Sequence, residues 1–169
     1  MQIIQLHSMG GCGTHLLLEF YYSAGFRRLV EPIHLLLAMV LARKGADAPC
    51  GLSEYADSTA AEAVRQLATV LAVEPPRDLS SEKECFRCFG DAIASMNEDR
   101  IVIGHEYRFS HTILTTTPKG METVWTVEDR DDAQAMLERA TAYLGIDLRQ
   151  GALLRNPVDI YYSQAERYY

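Results

Sequence analysis

The stretch LHSMGGCGTHLLL, Leu6 to Leu18, decides how the rest of the chain is read. An apolar run from Ile3 to Leu6 stops at three glycines, Gly10, Gly11 and Gly13, after which Thr14 and His15 open a segment rich in leucine. The pattern predicts a strand, a glycine loop and a helix start. Glycines let a backbone turn tightly and come close to a ligand, and the first N–H groups of a helix have no internal partner. With the helix dipole adding partial positive charge at the same point, such a turn is a cradle for a phosphate. A tight turn without a ligand would use the same residues. A Walker A loop needs Lys and then Ser or Thr after its last glycine, whereas Gly13 is followed by Thr14 and His15. A dinucleotide fingerprint also fails, because Leu16 stands where its third glycine belongs.

Working outward, 169 residues with 48% hydrophobic side chains are the size of one domain with a substantial core, and residues 1–169 are read as a single domain. A formal charge of −7 and an isoelectric point near 5.2, with no basic run, argue against nucleic acid or an anionic membrane surface as partner. The longest apolar stretch, Ile33 to Ala42, contains His34 and is too short for a bilayer span. The start has no basic segment ahead of an apolar one, so the expected location is cytoplasmic. Cys12, Cys50, Cys85 and Cys88 are too few and scattered for a disulfide framework. No metal site is expected, since Cys85 and Cys88 have no second pair of ligands at zinc spacing. Inside a helix they read as buried thiols rather than a redox motif.

In chain order, a strand is expected at Gln2 to His7 and a first helix ending near Tyr22. A turn with Arg27 and Arg28 follows, and then a helix from Glu31-Pro32 to Arg43 that Lys44-Gly45 stops. Ser58 or Thr59 caps a helix carrying Ala60, Val64, Leu67, Ala68 and Leu71 on one face, ended by Pro75-Pro76. Ser81 with Glu84 predicts a capping box for a helix to about Ser95. Ile101 to Gly104, followed by His105, reads as a central parallel strand, whose carboxyl end is where ligands gather in open α/β sheets. Ser110 to Thr117 and Glu122 to Glu128 flank Pro118-Lys119-Gly120 as a hairpin. An amphipathic helix over Asp131 to Leu144 stops at Gly145, and Ala152 to Leu154 reads as a buried strand before a tyrosine-rich helix. The fold class is α/β, three layers with a mainly parallel central sheet flanked by helices.

Directly after that last strand comes Arg155-Asn156-Pro157-Val158-Asp159-Ile160-Tyr161-Tyr162-Ser163. A guanidinium at a strand end can grip a phosphate through two hydrogen bonds, and a hydroxyl from the next helix can hold a further oxygen. An Arg155–Asp159 pair with Ser163 in solvent is the alternative use of the same residues. The segment resembles the 3′-phosphate motif of sulfotransferases that use 3′-phosphoadenosine 5′-phosphosulfate (PAPS), with Arg155 and Ser163 at its phosphate-binding positions. Gly10-Gly11-Cys12-Gly13-Thr14-His15 resembles that family's 5′-phosphosulfate loop, Gly13 and Thr14 matching its Gly-Thr pair. His105 stands where many members carry a general base. The loop departs from the family in having Gly11 for a Lys or Arg, Cys12 for Ser and His15 for Thr, and the chain ends at Tyr169 without a basic closing loop.

The resemblance implies a P-loop-like fold and sulfuryl transfer from PAPS, as co-substrate, to the hydroxyl or amine of a small-molecule or glycan acceptor. His105 would take the acceptor proton, an imidazole suiting that role near neutrality. The N–H groups of Gly11 to Thr14 would hold the 5′ end. His15 is the local candidate to meet charge on the leaving oxygen, ahead of Arg27 or Arg28, and His111 is a competing base. The missing lysine also leaves open a noncatalytic domain that binds a nucleotide or a protein partner, to which Tyr161, Tyr162, Tyr168 and Tyr169 would suit an interface. A small nucleotide kinase ranks last because it would need the Walker lysine. Homo-oligomerisation is left open.

Overall fold

The computed structural model describes residues 1–8, 14–29, 31–45, 59–103, 114–117, 120–123 and 127–153. The chain is of the α/β class, with a four-stranded all-parallel sheet, a two-stranded antiparallel hairpin and five helices among these residues. It divides into two compact units. The first comprises Met1–Leu29, Asp99–Arg108 and Asp147–Tyr169, and the second Val30–Glu98 and Phe109–Ile146.

The first unit holds β1 (Gln2–Ser8), α1 (Thr14–Ser23), β2 (Arg27–Arg28), β3 (Arg100–Ile103) and β6 (Asp147–Leu153), in the strand order β2-β3-β1-β6. Gln2 faces both Arg100 and Asp147, so β1 is paired on both sides. An interior strand must suit two covered faces, and β1 does: Ile3, Gln5 and Leu6 are buried. Leu6 and Val102 on one sheet face pack with Leu18 of α1 and with Phe26, and Ile4, Leu17, Tyr21 and Tyr22 border that cluster. Helix α1 ends at Gly25, whose φ of 86° lies in the left-handed region. There the Gly25 N–H donates to the Tyr22 carbonyl and the Phe26 N–H to the Tyr21 carbonyl. This reversed pair of bonds turns the chain back so that Phe26 meets Tyr21 edge-on, with ring centres 5.2 Å apart. Arg27 and Arg28, expected in a turn, instead form the short edge strand β2, because this reversal sends them alongside β3.

The second unit is built on α2 (Glu31–Arg43), whose nine buried residues out of thirteen make it apolar on nearly every side. It packs with α3 (Ala60–Val70), α4 (Glu82–Ala94) and α5 (Val127–Tyr143). Small residues on α3, Ala60, Ala63 and Ala68, bring that helix close. Gly90 of α4 does the same toward α5, since a Cβ there would stand 2.7 Å from the Leu144 side chain. β4 (Leu114–Thr117) and β5 (Gly120–Thr123) form the expected hairpin. No helix among the described residues is long and apolar enough to cross a membrane.

Several boundaries differ from expectation. Thr59 does cap α3, its hydroxyl accepting from the Glu62 N–H at 3.2 Å. The helix ends well before Pro75, however, because Ala72 adopts φ 55° and the N–H groups of Ala72 and Val73 bond back to Thr69 and Ala68. The capping box does not form. Ser81 is the N-cap of α4 without a side-chain cap bond, and Glu84 instead accepts the N–H groups of Arg77 at 2.6 Å and Asp78 at 3.0 Å, fastening the preceding loop. The second hairpin strand stops at Thr123, and Val127 and Glu128 are already helical. Asp131 and Asp132 near its start suit the positive end of a helix. The last strand begins at Asp147, five residues before the apolar signal. It is an edge strand with Arg149, Gln150 and Ala152 exposed, and an edge does not need two apolar faces.

Three helices share the same C-terminal turn, with left-handed residues Gly25, Ala72 and Gly145. Alanine is the misfit, because a Cβ in that conformation costs about 1 kcal/mol or more. Ala72→Gly is expected to stabilise the protein by about 0.5–1 kcal/mol and Gly145→Ala to destabilise it by about 1 kcal/mol. Chemical denaturation of the two variants against wild type checks both signs.

Candidate functional site

The sheet of the first unit gathers three chain exits at one edge. β1 and β6 end level, Ser8 facing Leu153, and β3 ends at Ile103, facing Gln5. The three strands are adjacent and parallel, so their carboxyl ends point the same way. Neighbouring strands lie about 4.8 Å apart, so the three exits span about 10 Å across the sheet, with that of β3 three residues, about 10 Å, back along the strands. In sequence, the exit of β1 is followed by Gly10, Gly11, Cys12 and Gly13, that of β3 by His105 and that of β6 by Arg155.

Gly10, Gly11, Cys12, Gly13, His105, His111, Arg155 and Ser163 lie outside the described residues. Thr14 and His15 are the first two residues of α1, as the glycine-loop pattern predicted. Arg27 and Arg28 are exposed on β2, with β3 between them and β1. They are thus about 10 Å, two strand spacings, from the strand that the glycine segment follows.

Sequence reading missed His7. Strand alternation puts Ile3, Gln5 and His7 on one face of β1 and Ile4, Leu6 and Ser8 on the other. Ile3 and Gln5 are buried, and the His7 Nε2 atom is shut off from solvent without a hydrogen-bond partner among the described residues. Leaving such an atom unsatisfied costs about 1–3 kcal/mol. The available signal was polar residues at alternate positions of an interior strand.

The other chemistry-bearing groups lie in the second unit. Cys85 and Cys88 share one face of α4 and are fully buried, Cys85 Sγ donating to the Leu79 carbonyl at 3.6 Å. Burial pushes both thiols up to about 11, so they remain protonated near neutrality and are poor nucleophiles. Among the described residues no group of three or more side chains could hold a metal ion. A cleft of about 230 Å³ is lined by Arg43, Lys44, Arg139, Glu82 and Asp132. Here Glu82 accepts from Arg43 at 3.1 Å and Arg139 at 2.8 Å, and Lys44 stands 2.7 Å from Asp132. Partial burial works against the Glu82 carboxylate, but the two guanidinium groups outweigh it and hold its pKa below the usual value. These cations already have carboxylate partners, so the cleft is an ion-pair network.

No family model matches the chain, and no curated protein or solved structure is significantly similar to it.

The buried thiols carry a pH signature. Their folded pKa lies above the ordinary value of 9.0, so the folded state retains protons that the unfolded state has lost. That contribution is present below pH 9 and lost as pH rises toward about 11. Urea denaturation midpoints are expected to fall across this window, and to fall less steeply in the double variant Cys85→Ala/Cys88→Ala.

Proposed function

We propose that this chain is a sulfotransferase-like domain of three-layer, P-loop-like architecture that binds PAPS and transfers its sulfuryl group to an acceptor hydroxyl or amine. The observation that carries the reading is the order β2-β3-β1-β6, all parallel, with the strand before the glycine segment in the interior. The glycine segment, His105 and Arg155 therefore follow the carboxyl ends of three neighbouring strands, where open α/β sheets bind ligands.

In this reading the N–H groups of Gly11 to Thr14 hold the 5′-phosphosulfate, and Arg155 and Ser163 hold the 3′-phosphate. The acceptor oxygen or nitrogen attacks sulfur in line with the bridging oxygen. The new bond to sulfur forms as the bond from sulfur to the phosphate oxygen breaks, and the electron pair stays on that oxygen. His105 takes the acceptor proton, and protonated His15 offsets charge on the leaving phosphate. A missing preorganised donor typically costs about 10²–10³ in rate, so Gly11 in place of lysine implies a slow enzyme.

A second reading, a noncatalytic domain that docks a protein, is favoured by one observation. Leu16 and Phe20, one turn apart on α1, are 79% and 66% exposed, an apolar pair turned to solvent.

Calorimetric titration with 3′-phosphoadenosine 5′-phosphate decides between them. Micromolar binding that falls at least tenfold in Arg155→Ala is the expected result, followed by turnover of PAPS in an acceptor screen. Absence of binding by folded wild-type protein overturns the enzyme reading in favour of the docking domain.

A further inference from the structure

We propose that the cleft between α2, α4 and α5 binds a small phosphoryl anion, inorganic phosphate or a phosphomonoester, through Arg43 and Arg139. The inference goes beyond the sulfotransferase reading and does not depend on it.

The argument begins with how little of each arginine the ion-pair network uses. Arg43 Nη1 and Arg139 Nη2 both donate to one atom, Glu82 Oε1, at 3.1 Å and 2.8 Å. A guanidinium carries five N–H donors in a planar fork that matches two oxygens at once. Here each fork meets half of a single carboxylate oxygen, and neither arginine makes another hydrogen bond among the described residues. Two guanidinium groups that converge on one oxygen stand close enough for one tetrahedral oxyanion to accept from both. Glu82 thus occupies the arginine pair without saturating it.

Charge and shape then select the ligand. The cleft is lined by three cations, Arg43, Lys44 and Arg139, against two carboxylates, Glu82 and Asp132, in a chain whose formal charge is −7. This local excess of positive charge favours an anion, and a phosphoryl group offers more charge and more acceptor oxygens than a carboxylate. Val40 and Met136, 5% and 1% exposed, complete the lining with buried apolar side chains. Their low polarity strengthens hydrogen bonds to charged groups above them. At about 230 Å³ the cleft is smaller than the roughly 300–1,000 Å³ of pockets for drug-sized molecules, so the ligand is a small one.

The Nε–Hε resonances of Arg43 and Arg139 in ¹⁵N-labelled protein provide the test, each identified by its loss in Arg43→Gln or Arg139→Gln. Wild type is titrated with inorganic phosphate and, separately, with phenyl phosphate, at an ionic strength held constant with chloride. Thermal melts verify that the variants fold. The expected result is a saturable shift of both signals, with affinity falling about tenfold in each arginine variant, the scale of one charge-assisted hydrogen bond. Glu82→Gln should bind severalfold more tightly, because it removes the competing carboxylate, and a variant that merely loosened the fold would not gain affinity. Saturation by inorganic phosphate alone identifies the free ion as ligand, and saturation by phenyl phosphate shows that a phosphoryl group on an organic molecule is accepted. Shifts no larger than chloride produces, or equal binding by wild type and all three variants, overturn the inference. So does phosphate binding that is lost in Arg155→Ala and kept in Arg139→Gln, a result that assigns the anion to the nucleotide reading instead.

Discussion

The two-sided pairing of β1 is the constraint on which the first unit depends. Parallel neighbours cannot be joined by a tight turn, so each partner of β1 must arrive after a long excursion of the chain. Gln2 meets Arg100 on one side and Asp147 on the other, and the intervening segments include all the helices of the second unit. No local preference of the first eight residues could specify those partners. What they do specify is tolerance of an interior position, through Ile3, Ile4 and Leu6, and that tolerance is what the two ladders exploit.

Helix endings show how a local backbone device directs larger structure. The bonds closing α1 at Gly25 place Phe26 against Tyr21 and launch Arg27 and Arg28 as a strand beside β3. Arg100 of β3 then lies over the Phe26 ring, 5.9 Å from its centre. The same turn ends α5 at Gly145 and leads directly into β6. A residue in the left-handed conformation marks each of the three places where a helix hands the chain to the parallel sheet, Gly25 before β2, Asn97 before β3 and Gly145 before β6. In the second unit the organising element is α2, which is buried on nearly all sides and lets the amphipathic helices α3, α4 and α5 each cover part of it.

Legibility differed by kind of signal. The Glu31-Pro32 start and the Lys44-Gly45 stop placed α2, and apolar periodicity after the Thr59 cap placed the buried face of α3, Ala60, Val64, Leu67 and Ala68, because burial of those side chains is what stabilises the helix. Polar pairings were read less well. Ser81 and Glu84 have capping-box spacing, yet Glu84 is drawn to the N–H groups of Arg77 and Asp78, which only the folded loop presents. Edge strand β6 was half missed, since its charged and polar residues, including the Asp147–Arg149 pair at 3.0 Å, carry no apolar pattern. For the candidate site, the strand before the glycines and the helix opening at Thr14 were legible, whereas His7 passed as an ordinary strand residue until its Nε2 was found buried without a partner among the described residues.

The amino-acid sequence by itself determined the local elements: the strand and helix either side of Gly10 to Gly13, the buried thiols of α4, and the stops at Gly45 and Gly145. These follow from side-chain periodicity and backbone preference within a few residues. Tertiary structure alone decided that β1 lies between β3 and β6, that the three carboxyl ends share an edge, and that Arg27 and Arg28 lie beyond β3. The physical reason is that parallel pairing joins backbone groups remote in sequence, and backbone hydrogen bonds are the same for every residue type. The choice among partners is therefore made by how whole strands and their crossovers pack.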